Sequence, residues 1–208
     1  MITLHTWTTP NGFKASIALE ELGLPYKVNP INIGADDQFK PEFLKISPNN
    51  KIPAIVDDET GISVFETGAI LVYLAEKTGK LLPASGEARY KVLEWLNWQM
   101  GGLGPMFGQL GHFTVFAPEQ VPYAQNRYKT EAIRLLKVLE TQLSKHAYVA
   151  GEDYSIADIA IYPWINTLRT FYKQEALLEA TPHINAWFAK VGARPAVQKG
   201  MTIGKEAR

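Results

Sequence analysis

The sequence predicts an α+β fold: a mixed four-stranded sheet with its helices over residues 1–80, then an all-helical domain over 87–208. Three observations carry that expectation. Short apolar runs alternate with helical patterns through residue 79, and strand signals vanish from Gly86 onward. Between the two rhythms, Leu82-Pro83-Ala84-Ser85-Gly86 has the chemistry of a linker. With 208 residues and 46% hydrophobic content, the chain can bury a core without a disulfide or metal staple.

The elements follow in order. Residues 2–7 read as a strand, 11–24 as a helix and 26–33 as a second strand. In the helix, Ala15, Ala18, Leu19 and Leu22 recur at i, i+3, i+4 and i+7, one apolar stripe, and Gly23 with Pro25 stops it. A short helix near 41–46 precedes strands at Ala54–Asp57 and Ile62–Phe65, joined by Asp58-Glu59-Thr60-Gly61, which is long enough only for a hairpin. A helix over 67–77 closes the unit at Gly79. The first βαβ demands a parallel crossover and the hairpin is antiparallel, so the sheet must be mixed.

In the second part, a helix over 127–145 lines up Ala132, Leu135, Leu136, Leu139 and Leu143 on one face. Residues 156–168 are apolar nearly all round, which marks a helix inside a bundle. Ser155 caps that helix, Asp158 completes a capping box, Tyr154 and Ile159 form a staple, and Pro163 should kink it. Prolines open two shorter helices, 182–191 and Pro195–Gly200. Trp95, Trp98, Trp164 and Trp187 read as core. Gly101, Gly102, Gly104, Gly108 and Gly111 read as positions of close helix approach, with Phe113 beside them a candidate for contact with a second substrate.

Composition excludes several functions. Lysine plus arginine and aspartate plus glutamate number 21 each, so the chain lacks the basic excess of most nucleic-acid binders. No apolar run approaches the roughly 20 residues of a membrane span. The first thirty residues carry Lys14, Glu20, Glu21 and Lys27, which points away from a secretory leader and toward a cytoplasmic protein. There is no cysteine, so disulfides, thiolate metal sites and a cysteine nucleophile are excluded. The four histidines have no metal-ligand spacing, and no metal is expected.

Three segments of the first domain carry candidate chemistry. Thr8-Thr9-Pro10-Asn11-Gly12 stands between the first strand and first helix, where unpaired N–H groups and the helix dipole suit an anion; Thr9 and Asn11 equally suit capping. In Asn49-Asn50-Lys51-Ile52-Pro53-Ala54, a cis Ile52–Pro53 bond would present the Ile52 backbone to a ligand lying alongside like an extra strand. Glu66 and Thr67 open the last helix, where Glu66 can accept from an ammonium and the N–H groups can bind a carboxylate, or both residues simply cap.

Taken together, a strand–Thr-Pro-Asn–helix, an Ile-Pro strand entry and a Glu-Thr helix start, ahead of a helical domain with its Tyr154–Asp158 capping box and Arg194-Pro195-Ala196 turn, resemble the cytosolic glutathione transferases. Residues 49–55 and 66–79 and the run Trp98-Gln99-Met100-Gly101-Gly102-Leu103-Gly104-Pro105-Met106 are similar to the bacterial Nu-class enzymes, glutathione-dependent disulfide-bond oxidoreductases. The resemblance implies a thioredoxin-like first domain that binds glutathione and a helical domain forming the second-substrate side of a cleft. It implies that Ile52, next to a cis Pro53, pairs with the cysteinyl backbone. Glu66 and Thr67 would hold the γ-glutamyl group, Gln38 and Lys51 would meet the glycyl end, and Asn11 with Thr9 would lie near the sulfur. Arg127 either reaches bound glutathione from the helical domain or is a solvated arginine.

The expected activity is reduction of small disulfides with two glutathiones, the protein supplying no sulfur of its own. Conjugation of electrophiles, or a non-enzymatic binding or regulatory module on the same fold, are the alternatives. The resemblance also implies a homodimer, with no nucleic-acid or membrane partner.

Overall fold

A computed structural model describes residues 1–204. In chain order the elements are β1 (Ile2–Thr6), α1 (Pro10–Leu22), β2 (Tyr26–Pro30), α2 (Pro41–Leu44), β3 (Ala54–Asp57), β4 (Ile62–Phe65) and α3 (Thr67–Thr78). Then come α4 (Gly86–Trp98), α5 (Gly104–Gly111), α6 (Pro122–Leu143), α7 (Ile156–Thr170), α8 (Pro182–Gly192) and α9 (Pro195–Gly200). The chain divides into two compact units, residues 1–84 together with the segment from Ala193 on, and residues 85–192.

In the first unit the sheet order is β2-β1-β3-β4. The α1 crossover makes β1 and β2 parallel, with Ile2 opposite Tyr26, while β3 lies antiparallel to both β1 and β4. This is the mixed sheet that a βαβ followed by a hairpin requires. The apolar faces of Leu4 and Ile55, paired across β1 and β3, are fully buried and form the centre of the core. Gly23 and Gly79 end α1 and α3 in the left-handed conformation, at φ 65° and 67°.

Helix α1 departs from the single apolar stripe. Every residue from Gly12 to Leu19 is buried, Lys14 and Ser16 included. The cause is the last helix. Although α9 follows the helical domain in sequence, it packs on α1: Ser16 Oγ donates to the Gly200 carbonyl at 2.7 Å, and Arg194 pairs with Glu21 at 2.6 Å. A helix covered by the sheet on one side, α3 on another and α9 on a third has little solvent face left. Residues from 193 on therefore group with the sheet, whereas the sequence placed all of 87–208 in one helical domain.

In the second unit, α6 buries the stripe Ala132, Leu135, Leu136, Leu139 and Leu143. It begins at Pro122, five residues before the expected start, because a proline suits the first helical turn. Helix α7 is buried almost throughout and starts with the capping box of Ser155 and Asp158. Trp164 and Trp187 are core, but Trp95 and Trp98 are only half-buried and meet edge to face at 5.1 Å. Helix α5 is flanked by wider turns at Gln99–Leu103 and His112–Phe116. Close approach is plain at Gly111, where a Cβ would collide with the Tyr172 ring. Among the described residues no helix is long and apolar enough to cross a membrane.

Candidate functional site

The first unit holds a cavity of about 200 Å³ lined by Asn11, Asn49, Lys51, Ile52, Pro53, Phe65, Glu66 and Thr67. Its walls are the start of α1, the turn entering β3, and the junction of β4 with α3.

At the first wall, Thr9 caps α1: its Oγ1 accepts from the Gly12 N–H at 3.1 Å, and Pro10 occupies the first turn. The hydroxyl thus has a lone pair engaged by the backbone and its proton available to a further acceptor. Gly12 lets this turn sit down on the end of β1, since a Cβ there would collide with the Trp7 carbonyl and lie 2.6 Å from Thr6 Oγ1. Asn11 points from this turn into the cavity lining.

The second wall is a tight turn. The buried Ser47 hydroxyl donates to the Lys51 carbonyl at 2.8 Å, and the Asn50 N–H donates to the Ser47 carbonyl at 2.9 Å. Asn50 takes φ 50°, and the Ile52–Pro53 peptide is cis. Ile52 lies just outside the β3–β4 ladder, which begins with Ala54 opposite Phe65. Among the described residues, neither its N–H nor its C=O takes part in the backbone hydrogen bonds outside helices and strands. A strand-like edge facing a cavity is a ready partner for an extended peptide.

The third wall carries the most unusual backbone. Glu66 occupies the N-cap position of α3 with φ 70° and ψ 121°, a conformation that side-chain-bearing residues rarely adopt. Such a backbone costs about 1–3 kcal/mol and persists where the surroundings impose it, often at ligand clamps. Its side chain makes no capping hydrogen bond and is exposed, so at this helix start the plain capping role does not hold. Thr67 is buried, and its Oγ1 accepts from the Lys14 ammonium at 3.4 Å. Lys14 is 1% exposed. Burial pushes its ammonium down to about 7, with the nearby Glu66 carboxylate acting in the opposite direction.

Of the residues singled out from sequence, Asn11, Lys51, Ile52, Pro53, Glu66 and Thr67 share this cavity. Thr9 is two residues from Asn11 but does not line it, nor does Gln38. Gln38 instead donates from Nε2 toward the Asp36 carboxylate at 3.4 Å. Arg127 is exposed on α6 in the second unit, next to Tyr128, on whose ring Phe113 stacks at 5.5 Å. Asn49 and Phe65 line the cavity without having been assigned a role. Asn49 lies two positions before Lys51 and Phe65 adjoins Glu66, so proximity to those residues is the signal in the sequence. Lys14 had none, because the contact that buries it comes from elements distant in sequence. Among the described residues no group of three or more histidine, aspartate and glutamate side chains is placed to hold a metal.

The arrangement suits an extended, zwitterionic peptide-like ligand: a strand edge for its backbone, an acid for an ammonium, and two helix starts for carboxylate or thiolate charge. Comparison with known proteins agrees with this chemistry. The model of the glutathione S-transferase N-terminal domain matches residues 1–76 and that of the C-terminal domain residues 103–195. The chain is 46% identical over 206 residues to the disulfide-bond oxidoreductase YfcG of Escherichia coli K12, covering 97% of this chain and 94% of that protein. It is 42% identical over 216 residues to the disulfide-bond oxidoreductase YghU of the same organism, covering 98% and 75%. A glutathione transferase family member from Pseudomonas fluorescens, solved with two glutathione bound, superimposes with a TM-score of 0.93 at 47% identity, covering 96% of this chain and 92% of that one. One from Pseudomonas putida, solved with one glutathione disulfide bound per subunit, gives 0.93 at 45%, covering 97% and 91%. The chain belongs to the glutathione S-transferase family.

Proposed function

We propose that this protein is a glutathione-dependent disulfide-bond oxidoreductase of the Nu type, working in the cytoplasm as a homodimer. The observation that carries the reading is a polar cavity beside the strand-like edge at Ile52, in a chain without any cysteine. Disulfide exchange requires a thiolate, so the reacting sulfur is glutathione's. Support comes from the two Escherichia coli relatives named as disulfide-bond oxidoreductases and from similar structures solved with glutathione or its disulfide.

In this reading the Ile52 backbone pairs with the cysteinyl residue beside Pro53, Glu66 takes the γ-glutamyl ammonium, and Thr67 with the α3 N–H groups takes its carboxylate. Lys51 and Gln38 serve the glycyl end. Thr9 and Asn11 stand near the sulfur.

The task of the protein is to position and ionise that thiol. A cysteine-like thiol titrates near 8.5, leaving a few per cent thiolate at neutral pH. A hydrogen bond to a charged group contributes about 1.5–3 kcal/mol, and one pKa unit corresponds to about 1.36 kcal/mol. One donor, the Thr9 hydroxyl or the Asn11 amide, therefore lowers the thiol by about one to two units. The α1 N-terminus adds up to about 1 kcal/mol in the same direction. The result is a thiol near ambient pH, the optimum for attack.

The first glutathione thiolate attacks one sulfur of the small disulfide. A mixed disulfide forms, and the departing thiolate picks up a proton. A second thiolate then attacks the glutathione sulfur of that mixed disulfide, giving glutathione disulfide and the second thiol product. Two glutathiones supply two electrons and the substrate disulfide takes both, so no further reductant is needed.

Relative rates on 2-hydroxyethyl disulfide and on a chlorinated nitrobenzene test the reading. Faster turnover of the disulfide is expected. A preference for the aryl chloride would make the protein a conjugating transferase, and no glutathione binding at all by calorimetry would leave a non-enzymatic module.

A further inference from the structure

Resting on the glutathione reading above, we propose that Ser47 is a positioning residue for the cysteinyl part of the ligand: its buried hydroxyl holds the Lys51 carbonyl and thereby aims the Ile52 N–H at the ligand's backbone.

Ser47 is fully buried and does not itself line the cavity. Each of its polar groups is engaged by the segment that leads into β3. Its N–H donates to the Phe43 carbonyl at 2.9 Å, and its carbonyl accepts from the Asn50 N–H at 2.9 Å. Its Oγ donates to the Lys51 carbonyl at 2.8 Å. That last bond acts on the peptide unit that ends in the Ile52 N–H. The Lys51–Ile52 peptide is planar and trans, so its N–H points opposite to its C=O. Drawing the carbonyl toward the buried hydroxyl therefore turns the Ile52 N–H to the other side, away from Ser47. Ile52 lines the cavity, and among the described residues its N–H takes part in none of the backbone hydrogen bonds outside helices and strands.

One hydrogen bond can govern this plane because the sheet does not reach it. Lys51 is exposed, and β3 starts only at Ala54. A buried hydroxyl left without a partner is costly, so the bond to the Lys51 carbonyl persists before any ligand arrives. The Ile52 side chain is the second anchor: with Ile46 it packs against the buried cluster of Ile31, Phe43 and Ala54. The side chain sets where Ile52 sits, and the Ser47 hydroxyl sets which way its N–H faces. A strand edge holds an extended peptide through main-chain hydrogen bonds, so the direction of that N–H is a determinant of binding. A peptide plane already fixed in the free protein also spares the ligand the entropy of ordering it.

Two ligands separate this role from a purely structural one. The first is S-methylglutathione. The second is its analogue with an E-alkene in place of the cysteinyl–glycyl amide, which lacks the carbonyl that the Ile52 N–H would meet. Dissociation constants of both are measured by calorimetry for the wild type, Ser47→Ala and Ser47→Thr. In the wild type the alkene should bind about tenfold more weakly, as the loss of one well-aligned hydrogen bond requires. Ser47→Ala should weaken S-methylglutathione about fivefold and the alkene by about 1.5-fold or less, so the ratio falls to about two- to threefold. Ser47→Thr keeps the hydroxyl and should keep the wild-type ratio. General damage to the cavity would weaken both ligands alike and leave the ratio unmoved. A Ser47→Ala ratio equal to that of the wild type therefore overturns the proposal, as does a wild type that binds both ligands equally; the glutathione reading stands in either case. A Ser47→Thr protein whose ratio falls to about two- to threefold also overturns it, which decides the matter even if Ser47→Ala fails to fold. A wild type that binds neither ligand defeats both readings at once.

Discussion

Two helix entrances in this molecule solve the same problem in opposite ways. At the start of α7, the capping carboxylate is satisfied inside the fold. The buried Asp158 carboxylate accepts from the Ser155 N–H at 3.0 Å, the Val149 N–H at 3.0 Å and the Trp187 indole N–H at 2.8 Å. At the start of α3, Glu66 sits in a rare backbone conformation with its carboxylate exposed and uncapped, at the rim of a polar cavity. The first arrangement stabilises a bundle, and the second leaves an acid exposed at the rim of a cavity. Capping residues at a helix start therefore say little alone; whether their polar groups are consumed locally separates a structural entrance from a binding one.

The largest effect that would sharpen this contrast is on Asp158. Asp158→Ala leaves several buried donors without an acceptor, so unfolding in urea should show a loss of about 3 kcal/mol or more. Glutathione affinity of the folded fraction should stay near wild type. At the other entrance the pattern reverses. Glu66→Gly removes the ammonium acceptor and also relieves the backbone, so glutathione affinity should fall about tenfold or more while the melting temperature stays level or rises. A Glu66→Gly protein that is both less stable and fully binding would break the comparison.

A smaller effect concerns pH. The α8 entrance is also closed from within: Glu140, on α6, accepts from the His183 and Ile184 N–H groups at 3.1 and 2.9 Å. Burial pushes this carboxyl up, but those hydrogen bonds and the His183 side chain outweigh it and hold it below the usual glutamate range. A depressed carboxyl contributes stability above its unfolded value, about 4.3, and loses it as pH falls through the folded value. Glu140→Gln should therefore flatten the acid limb of the stability–pH curve below about pH 4.5. Glutathione affinity near neutrality should be unaffected.

Much of this was legible in the sequence, for a definite reason. The strands Ala54–Asp57 and Ile62–Phe65, the stop at Gly79 and the Ser155–Asp158 box depend on residues a few positions apart, and local physics suffices for such features. The cavity residues were reached differently. Asn11, Ile52, Glu66 and Thr67 look like ordinary capping and turn residues singly, and only their combination pointed to one ligand. What the sequence hid depends on distant contacts. Helix α1 loses its solvent face because a helix from the far end of the chain packs on it, and the buried Lys14 meets Thr67, fifty-three positions later. The wider turns around α5 likewise have no short-range signature, since the crowding at Gly111 comes from Tyr172, some sixty residues later.

The claim that matters most is that the protein ionises a sulfur it does not own. Ultraviolet difference titration of bound glutathione, comparing wild type with Thr9→Ala and Asn11→Ala, tests it directly. The account predicts a bound thiol about one to two units below the free one, with the variant that removes the operative donor recovering about one unit. A bound thiol that titrates like free glutathione would contradict it.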